Sequence, residues 1–314
     1  MAGTQRGRDI QKASSIGHFE LAIDGHTSTA YLKSVEGGYI RAGLMDEPIG
    51  PENHRIKHTS VASIEPFSVE LGLSGANDVL RWIQQSWRKE WSRRNGEIKH
   101  ANFDLYQTFT HEFYDALITE TTFPALDGSS KDAAYLKVKI QPERVVTAKV
   151  DGEQVKAEIG REGKQKMWLC SGFRLHIEGV QNIEYTNKID SFTIKQGVKQ
   201  LYTGIDRLPQ IEPTKIEFPS ITGTIALGYA DGILKWYDEA VVKGGADPAM
   251  QKTGWLEFLA PDRSTVIFRI NLDEVGLAHA QIPQSTANAD QIKRVKFELY
   301  VGRMDLDGHG MGFE

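Results

Sequence analysis

The sequence predicts a mainly β protein built twice, as two tandem antiparallel β-sandwich or barrel domains, each with one flanking α-helix. Three observations predict it. The stretch FELAIDGHTSTAY at 19–31 is restated as FRLHIEGVQNIEY at 173–185. The hydrophobic period is two along most of both halves and switches to helical spacing once in each. At 314 residues the chain has room for two domains of about 150 residues each.

The repeat fixes the first elements. Residues 19–40 lie over 173–194 at a constant offset of 154, with six identities: Phe19/Phe173, Leu21/Leu175, Ile23/Ile177, Gly25/Gly179, Tyr31/Tyr185 and Ile40/Ile194. Chance at ordinary composition gives about one or two over that length. Phe19, Leu21 and Ile23 alternate, and the Asp-Gly or Glu-Gly that follows is turn chemistry, so each copy opens on a hairpin. Next, IEPFSVELGL puts Phe67, Val69, Leu71 and Leu73 on one face, and SITGTIALGY does the same with Ile221, Gly223, Ile225, Leu227 and Tyr229. Pro66 lies near the start of its strand, where a missing N–H is tolerated. LGLSGANDVLRW at 71–82 answers LGYADGILKW at 227–236, with an expected turn two residues shorter.

The period then changes. Leu80, Ile83, Trp87 and Trp91 form a helical stripe, with Asp78 as the expected N-cap and Asn95-Gly96 as the expected stop. Ile233, Trp236, Tyr237 and Ala240 form its counterpart, with Asp231 before it and Gly244-Gly245 after it. These aromatics read as the buried face of a helix lying on a sheet rather than as a cofactor box, because Trp supplies the most area for such burial. Strands follow each helix: ANFDLYQTFTHEFYDALI in the first copy, GWLEFLAP and STVIFRINLDEV in the second, the last two joined by the turn PDRS. Each copy closes on another alternating strand, YLKVKIQPER at 135–144 lying over RVKFELYVGR at 294–303 at an offset of 159. The tally is about six or seven strands and one helix per copy.

Between the copies, VTAKVDGEQVKAEIGREGKQKMWLC reads as a hairpin turning at Asp151-Gly152 and then a polar loop. The expected organisation is a polar extension over 1–15, a first domain over 16–160 and a second over 161–314. Residues 41–60 and 195–214 are expected as long, weakly patterned loops in equivalent places; loops of that length are uncommon unless they serve a purpose.

Composition and motifs exclude several function classes. A net charge of −5 argues against a surface built to neutralise phosphates, and the one basic cluster, Arg88, Lys89, Arg93 and Arg94, reads as the solvated flank and end of a helix. The single cysteine, Cys170, excludes an intrachain disulfide and a Cys-based zinc site, and reads as inert packing beside Trp168. His54 and His58 have metal-ligand spacing on a helix, yet HRIKH follows a Pro-rich loop and lacks a zincin Glu. Asp305, Asp307 and His309 in the Gly-rich tail do not make a calcium loop. No GxSxG or dinucleotide fingerprint occurs, and EIGREGK at 158–164 lacks the GK[ST] ending of a P-loop. No catalytic, cofactor-binding or metal residue is therefore assigned, no cofactor is expected, and the chain is read as a non-enzyme. The N-terminal MAGTQRGRDIQKASS has no apolar h-region and no run of about 18 apolar residues occurs, so neither a classical secretion signal nor a membrane span is expected.

With the elements placed, the chain resembles the tail tube protein family of contractile phages and related injection machines. The residues that carry the resemblance are FELAIDG, YLKSVEGG, a long loop ending in KHTS, FSVELGLSG, VLRWIQQSW and YLKVKIQPERV. In the second copy they are FRLHIEG, a loop ending in TKIEFPS, TIALGYADGILKWY and VKFELYVGRMD. The resemblance implies a tail-tube-like fold and a structural subunit, serving as tube, tube-initiator or hub component. Such subunits close their sheets side by side around a hexameric channel and stack through long loops. Usual members carry one such domain; this chain carries two, so either three chains make a pseudo-hexameric ring or six chains span two rings. The implied partners are further copies of the chain in rings and stacked tubes, sheath and baseplate proteins, and DNA or effector cargo passing through the lumen without specific binding, with no membrane. The implied location is a virion tail or contractile injection particle, assembled in the host or producer cytoplasm. The alternative reading is a monomeric two-domain β-sandwich ligand-binding module; a hydrolase reading has no candidate dyad.

Overall fold

The computed structural model describes residues 17–24, 30–50, 54–73, 76–150, 152, 155, 168–203, 208–244, 250–283 and 292–308. The first half contains β1 (His18–Ile23), β2 (Ala30–Glu36), β3 (Ile40–Ile49), β4 (His54–Ile64), β5 (Phe67–Leu71), helix α1 (Asn77–Trp87), β6 (Arg94–Ala101), β7 (Gln107–Phe123), β8 (Leu126–Asp127), β9 (Leu136–Gln141) and β10 (Arg144–Lys149). The second contains β11 (Phe173–Ile177), β12 (Thr186–Ile189), β13 (Phe192–Leu201), β14 (Gln210–Glu217), β15 (Ile221–Ala226), helix α2 (Asp231–Tyr237), β16 (Lys252–Leu259), β17 (Val266–Gln281) and β18 (Arg294–Asp307).

The alternating apolar residues close into a barrel in the first half. Antiparallel pairing runs β1-β2-β5-β9-β7-β6 and back to β1, and Leu21, Phe67, Val69, Leu71, Ile98 and Val138 fill its interior with no exposed area. The second half repeats the order with its own strands, β11-β16-β17-β18-β15-β12, but β11 and β12 do not pair. A 3-10 turn at Ile183–Tyr185, entered through Asn182 at φ 62°, stands where the paired stretch would lie, and β12 turns its free edge to β8 instead. One copy is a closed barrel and the other is that barrel opened along one seam.

The registers establish the correspondence residue by residue. Phe67, Val69 and Leu71 face Ile140, Val138 and Leu136, while Ile221, Gly223 and Ile225 face Leu299, Phe297 and Val295. The long strands β7 and β17 carry a left-handed residue at matching places, Asp115 at φ 50° and Glu274 at φ 55°, and a register shift at matching places, between Ile118 and Glu120 and between Leu277 and His279. Such an irregularity bends a strand so that one strand serves two neighbours along its length. Gly96 and Gly254 are a matched pair for a steric reason: a Cβ there would lie 2.5 Å from the Ala22 carbonyl oxygen and 2.2 Å from that of His176.

Several expectations need correction. The repeat is ungapped from Phe19/Phe173 through Leu71/Ile225 to Trp82/Trp236, all at 154, so no shortened turn is needed; Leu227 belongs to a 3-10 turn rather than to β15. Helix α1 stops at Trp87, where Lys89 at φ 63° and Trp91 at φ 45° break it, so Trp91 leaves the stripe and Asn95-Gly96 lie inside β6. Asp78 sits in the first turn rather than at the cap, which is Ala76. Gly244 follows α2 at φ 72°, in the left-handed conformation that glycine adopts freely. Residues 41–60 and 195–214 lie largely on the hairpins β3–β4 and β13–β14; most side chains of β3, much of β4 and all of β14 but Ile211 reach solvent, so little apolar alternation marks these segments. The segment 156–167, with the expected boundary near Arg161, and residues 1–16 lie outside the described residues.

Candidate assembly interface

The feature that brings distant residues together is the junction between the two halves. β13 adds to the outer end of β7, with Phe192, Thr193, Ile194 and Lys195 opposite Phe123, Thr122, Thr121 and Glu120, so the sheet of the first half runs on into the second. Phe123 is fully buried and stacks on Phe192 at 5.0 Å and on Phe258 at 5.5 Å, which threads one apolar core through both halves.

Helix α1 closes the junction from the side. Trp87 packs edge-on against Phe123 and Phe218, its rings 6.1 and 6.3 Å away. The buried Gln84 amide donates to the Leu306 carbonyl at 2.7 Å, and the Arg88 guanidinium donates two bonds of 2.9 Å to the Asp305 carboxylate on β18. That pairing raises the Arg88 pKa, the hydrogen bond to Asp305 being the largest cause. Arg93 bridges Glu143 and the Ile211 carbonyl, while Glu143 accepts the Ile211 N–H at 2.9 Å. Magnitudes sort these roles: truncating a buried Trp or Phe costs about 3–5 kcal/mol, whereas a part-exposed ion pair contributes about 1 kcal/mol or less. The rings drive the junction and the charges fix its register.

The basic cluster lies at and just beyond the end of α1, with Arg88 as its C-cap and Lys89 exposed, and three of its members are also paired: Arg88 holds Asp305, Arg93 holds Glu143 and Arg94 holds Asp24. Of the tail residues weighed as ligands, Asp305 is taken by Arg88, Asp307 lies 3.1 Å from Arg269, and His309 lies outside the described residues. His54 and His58 are exposed on β4, where they face Ile49 and Met45 across the hairpin. Cys170 is half-buried in a turn, and burial is the main cause that pushes its thiol pKa up. The seam between β11 and β12 holds an open cavity of about 260 Å³ near Phe173, Arg174, Glu184 and Thr186, and Arg174 there is bound to Glu257 at 2.6 and 2.8 Å. No group of three or more His, Cys, Asp or Glu among the described residues could hold a metal. The junction residues Phe123, Phe192 and Gln84 were not singled out by the sequence; Phe192 two positions before Ile194 was the available signal.

The same elements leave surfaces uncovered. The hairpin β3–β4 is a two-stranded sheet of its own, with Leu44, Met45, Ile49 and Ile56 exposed. Helix α2 and the π-helical turn Asp238–Val242 that continues it expose Leu234, Val241 and Val242.

No curated protein matches the chain. Among solved structures, a chain of the extracellular contractile injection system PVC sheath-tube complex in its extended state is 17% identical, covering 45% of this chain and 95% of that one, at a TM-score of 0.39. A chain of the PVC sheath/tube terminator is 16% identical, covering 44% and 99%, at 0.38. Hcp1 from Flavobacterium johnsoniae is 12% identical, covering 43% and 94%, at 0.27. The family model of the T4-like virus tail tube protein gp19 matches residues 17–146, the part of this chain that forms the closed barrel with its hairpin and helix.

Proposed function

We propose that the chain is a structural subunit of a phage tail or phage-like contractile injection particle, acting as a tube, tube-initiator or hub component whose two tube-like domains sit side by side around a central channel. The observation that carries this reading is the duplication: the family match covers one copy, and the other repeats its strand order while its strand β13 extends the first copy's sheet on β7. An edge strand exposes unpaired N–H and C=O groups, and a ring in which every copy pairs with the next leaves none open. The domains extend over 16–160 and 161–314, behind a polar extension over 1–15. With six tube-like domains per ring, as the family resemblance implies, three chains fill one ring. The subunit carries no catalytic site; sheath and baseplate proteins bind the outside and ends of the tube, and DNA or effector cargo passes through its lumen inside the particle.

Negative-stain microscopy with sedimentation of the purified protein tests the reading. The expected species are rings or tubes whose smallest unit has three times the 35.1 kDa chain mass. Discrete monomers at high concentration would overturn it in favour of a monomeric ligand-binding module.

A further inference from the structure

The junction inside the chain has a counterpart that the chain cannot complete by itself. The second copy's hairpin strand β13 pairs with the first copy's β7, and the first copy's helix α1 lies on the second copy's β18. The equivalent half-sites are the first copy's β3, the outer end of β17, helix α2 with its continuation, and β10; none of these is joined to its counterpart among the described residues. Resting on the ring reading above, we infer that these half-sites are one interface whose occupant is a second copy of this chain, joined head to tail in the register already written inside the molecule.

The register follows from the two offsets. Tyr39, Ile40 and Arg41 correspond to Thr193, Ile194 and Lys195 at 154, and Gln281, Ala280 and His279 correspond to Thr122, Thr121 and Glu120 at 159. Ile40 of one chain therefore lies opposite Ala280 of the next. The hairpins support the correspondence independently, since both carry their register shift at the same place, between Ala42 and Leu44 and between Gln196 and Val198.

Burial marks the same surface. Leu80 is 0% exposed and its counterpart Leu234 is 36%; Trp87 is 6% and its counterpart Val241 is 38%. The first copy's helix is covered by the second copy, and the second copy's helix lacks that cover. The chemistry of the half-sites also matches. Arg88 and Asp305 correspond to Val242 and Val146, which are 64% and 44% exposed, so an ion pair inside the chain is replaced by two apolar side chains. Ile211, whose backbone anchors Arg93 and Glu143, corresponds to Lys57, and Glu143 corresponds to Gly302, so that ionic anchor is absent as well. The junction between chains is apolar where the junction within the chain is ionic. The two cannot be interchanged, which keeps each copy in its own place around the ring.

Two variant sets test the inference, both in a Cys170→Ser background. Facing residues of an antiparallel pair have Cα atoms about 4.5–5.5 Å apart, within disulfide range. Under oxidation I40C/A280C should give chains covalently linked to one another, whereas T121C/I194C should give only an internal crosslink and a monomer band. Separately, V146D and V242R should each abolish assembly while leaving the circular dichroism spectrum unchanged, and the double variant V146D/V242R, which rebuilds the Arg88–Asp305 pair between chains, should restore it. Rings from the parent protein together with no interchain crosslink from I40C/A280C and no rescue by the double variant would overturn the inference while leaving the ring reading intact. A parent protein that stays monomeric would overturn both.

Discussion

His111 shows how a single buried group ties stability to pH. Its side chain is 1% exposed, it packs edge-on against Tyr39 and Phe109 at 4.9 Å and His100 at 5.0 Å, and neither ring nitrogen has a hydrogen-bond partner among the described residues. Burial, with the neighbouring His100 second, lowers its pKa from 6.5 to about 4, and burial lowers that of His100 as well. A base whose folded pKa is depressed binds fewer protons in the folded state than in the unfolded one between those values. Stability is therefore full above about pH 6.5 and falls as the pH drops through about 4. The unfolding free energy from urea titration should fall between pH 7 and pH 4, by on the order of 3 kcal/mol for His111. His111→Phe should flatten that dependence, and an equally steep profile in the variant would refute the assignment. The sequence placed His111 on a strand and gave no sign of its aromatic surroundings, which come from Tyr39, Phe67 and His100 on three other segments.

At the scale of elements, the two copies solve one packing problem with different side chains. Val69 faces Val138 across β5 and β9, while Gly223 faces Phe297 across β15 and β18. A Cβ on Gly223 would lie 2.3 Å from the Phe297 ring, so the glycine makes room for that ring. Gly223→Val should destabilise by about 1–3 kcal/mol through overpacking. G223V/F297V, which rebuilds the first copy's pair, should recover most of that loss in thermal melts; additive losses would show that the pair is not a unit. The sequence put Gly223 on the buried face, and the alternation of its neighbours was enough for that. It did not reveal that Phe297 occupies the missing volume, because period two names the face and leaves the facing residue open. The hairpins β3–β4 and β13–β14 read as loops in the sequence for a related reason: most of β3, much of β4 and all of β14 but Ile211 reach solvent, so apolar alternation is confined to the start of β13 and the end of β4.

For the whole molecule, the exposed tip of β3–β4 carries Leu44, Met45, Ile49 and Ile56 beyond the barrel, and we propose that the two hairpins make contacts between stacked rings. Deleting residues 43–53 should leave a folded barrel, because Leu21, Phe67, Val69 and Ile98 keep their partners, and should leave rings while abolishing tubes. Normal tubes from the deletion variant, seen by microscopy, would refute that role. The sequence by itself determined the duplication, the one helix of each copy, the strands that flank it, and which faces of those strands are apolar, because these depend on local periodicity and turn chemistry. Only the tertiary structure decided that one copy closes while the other opens between β11 and β12, that β13 extends the sheet through β7, and that α1 is anchored on β18. Each of those outcomes depends on which edge meets which across a long stretch of chain, and alternation along a strand carries no information about the neighbour on its edge.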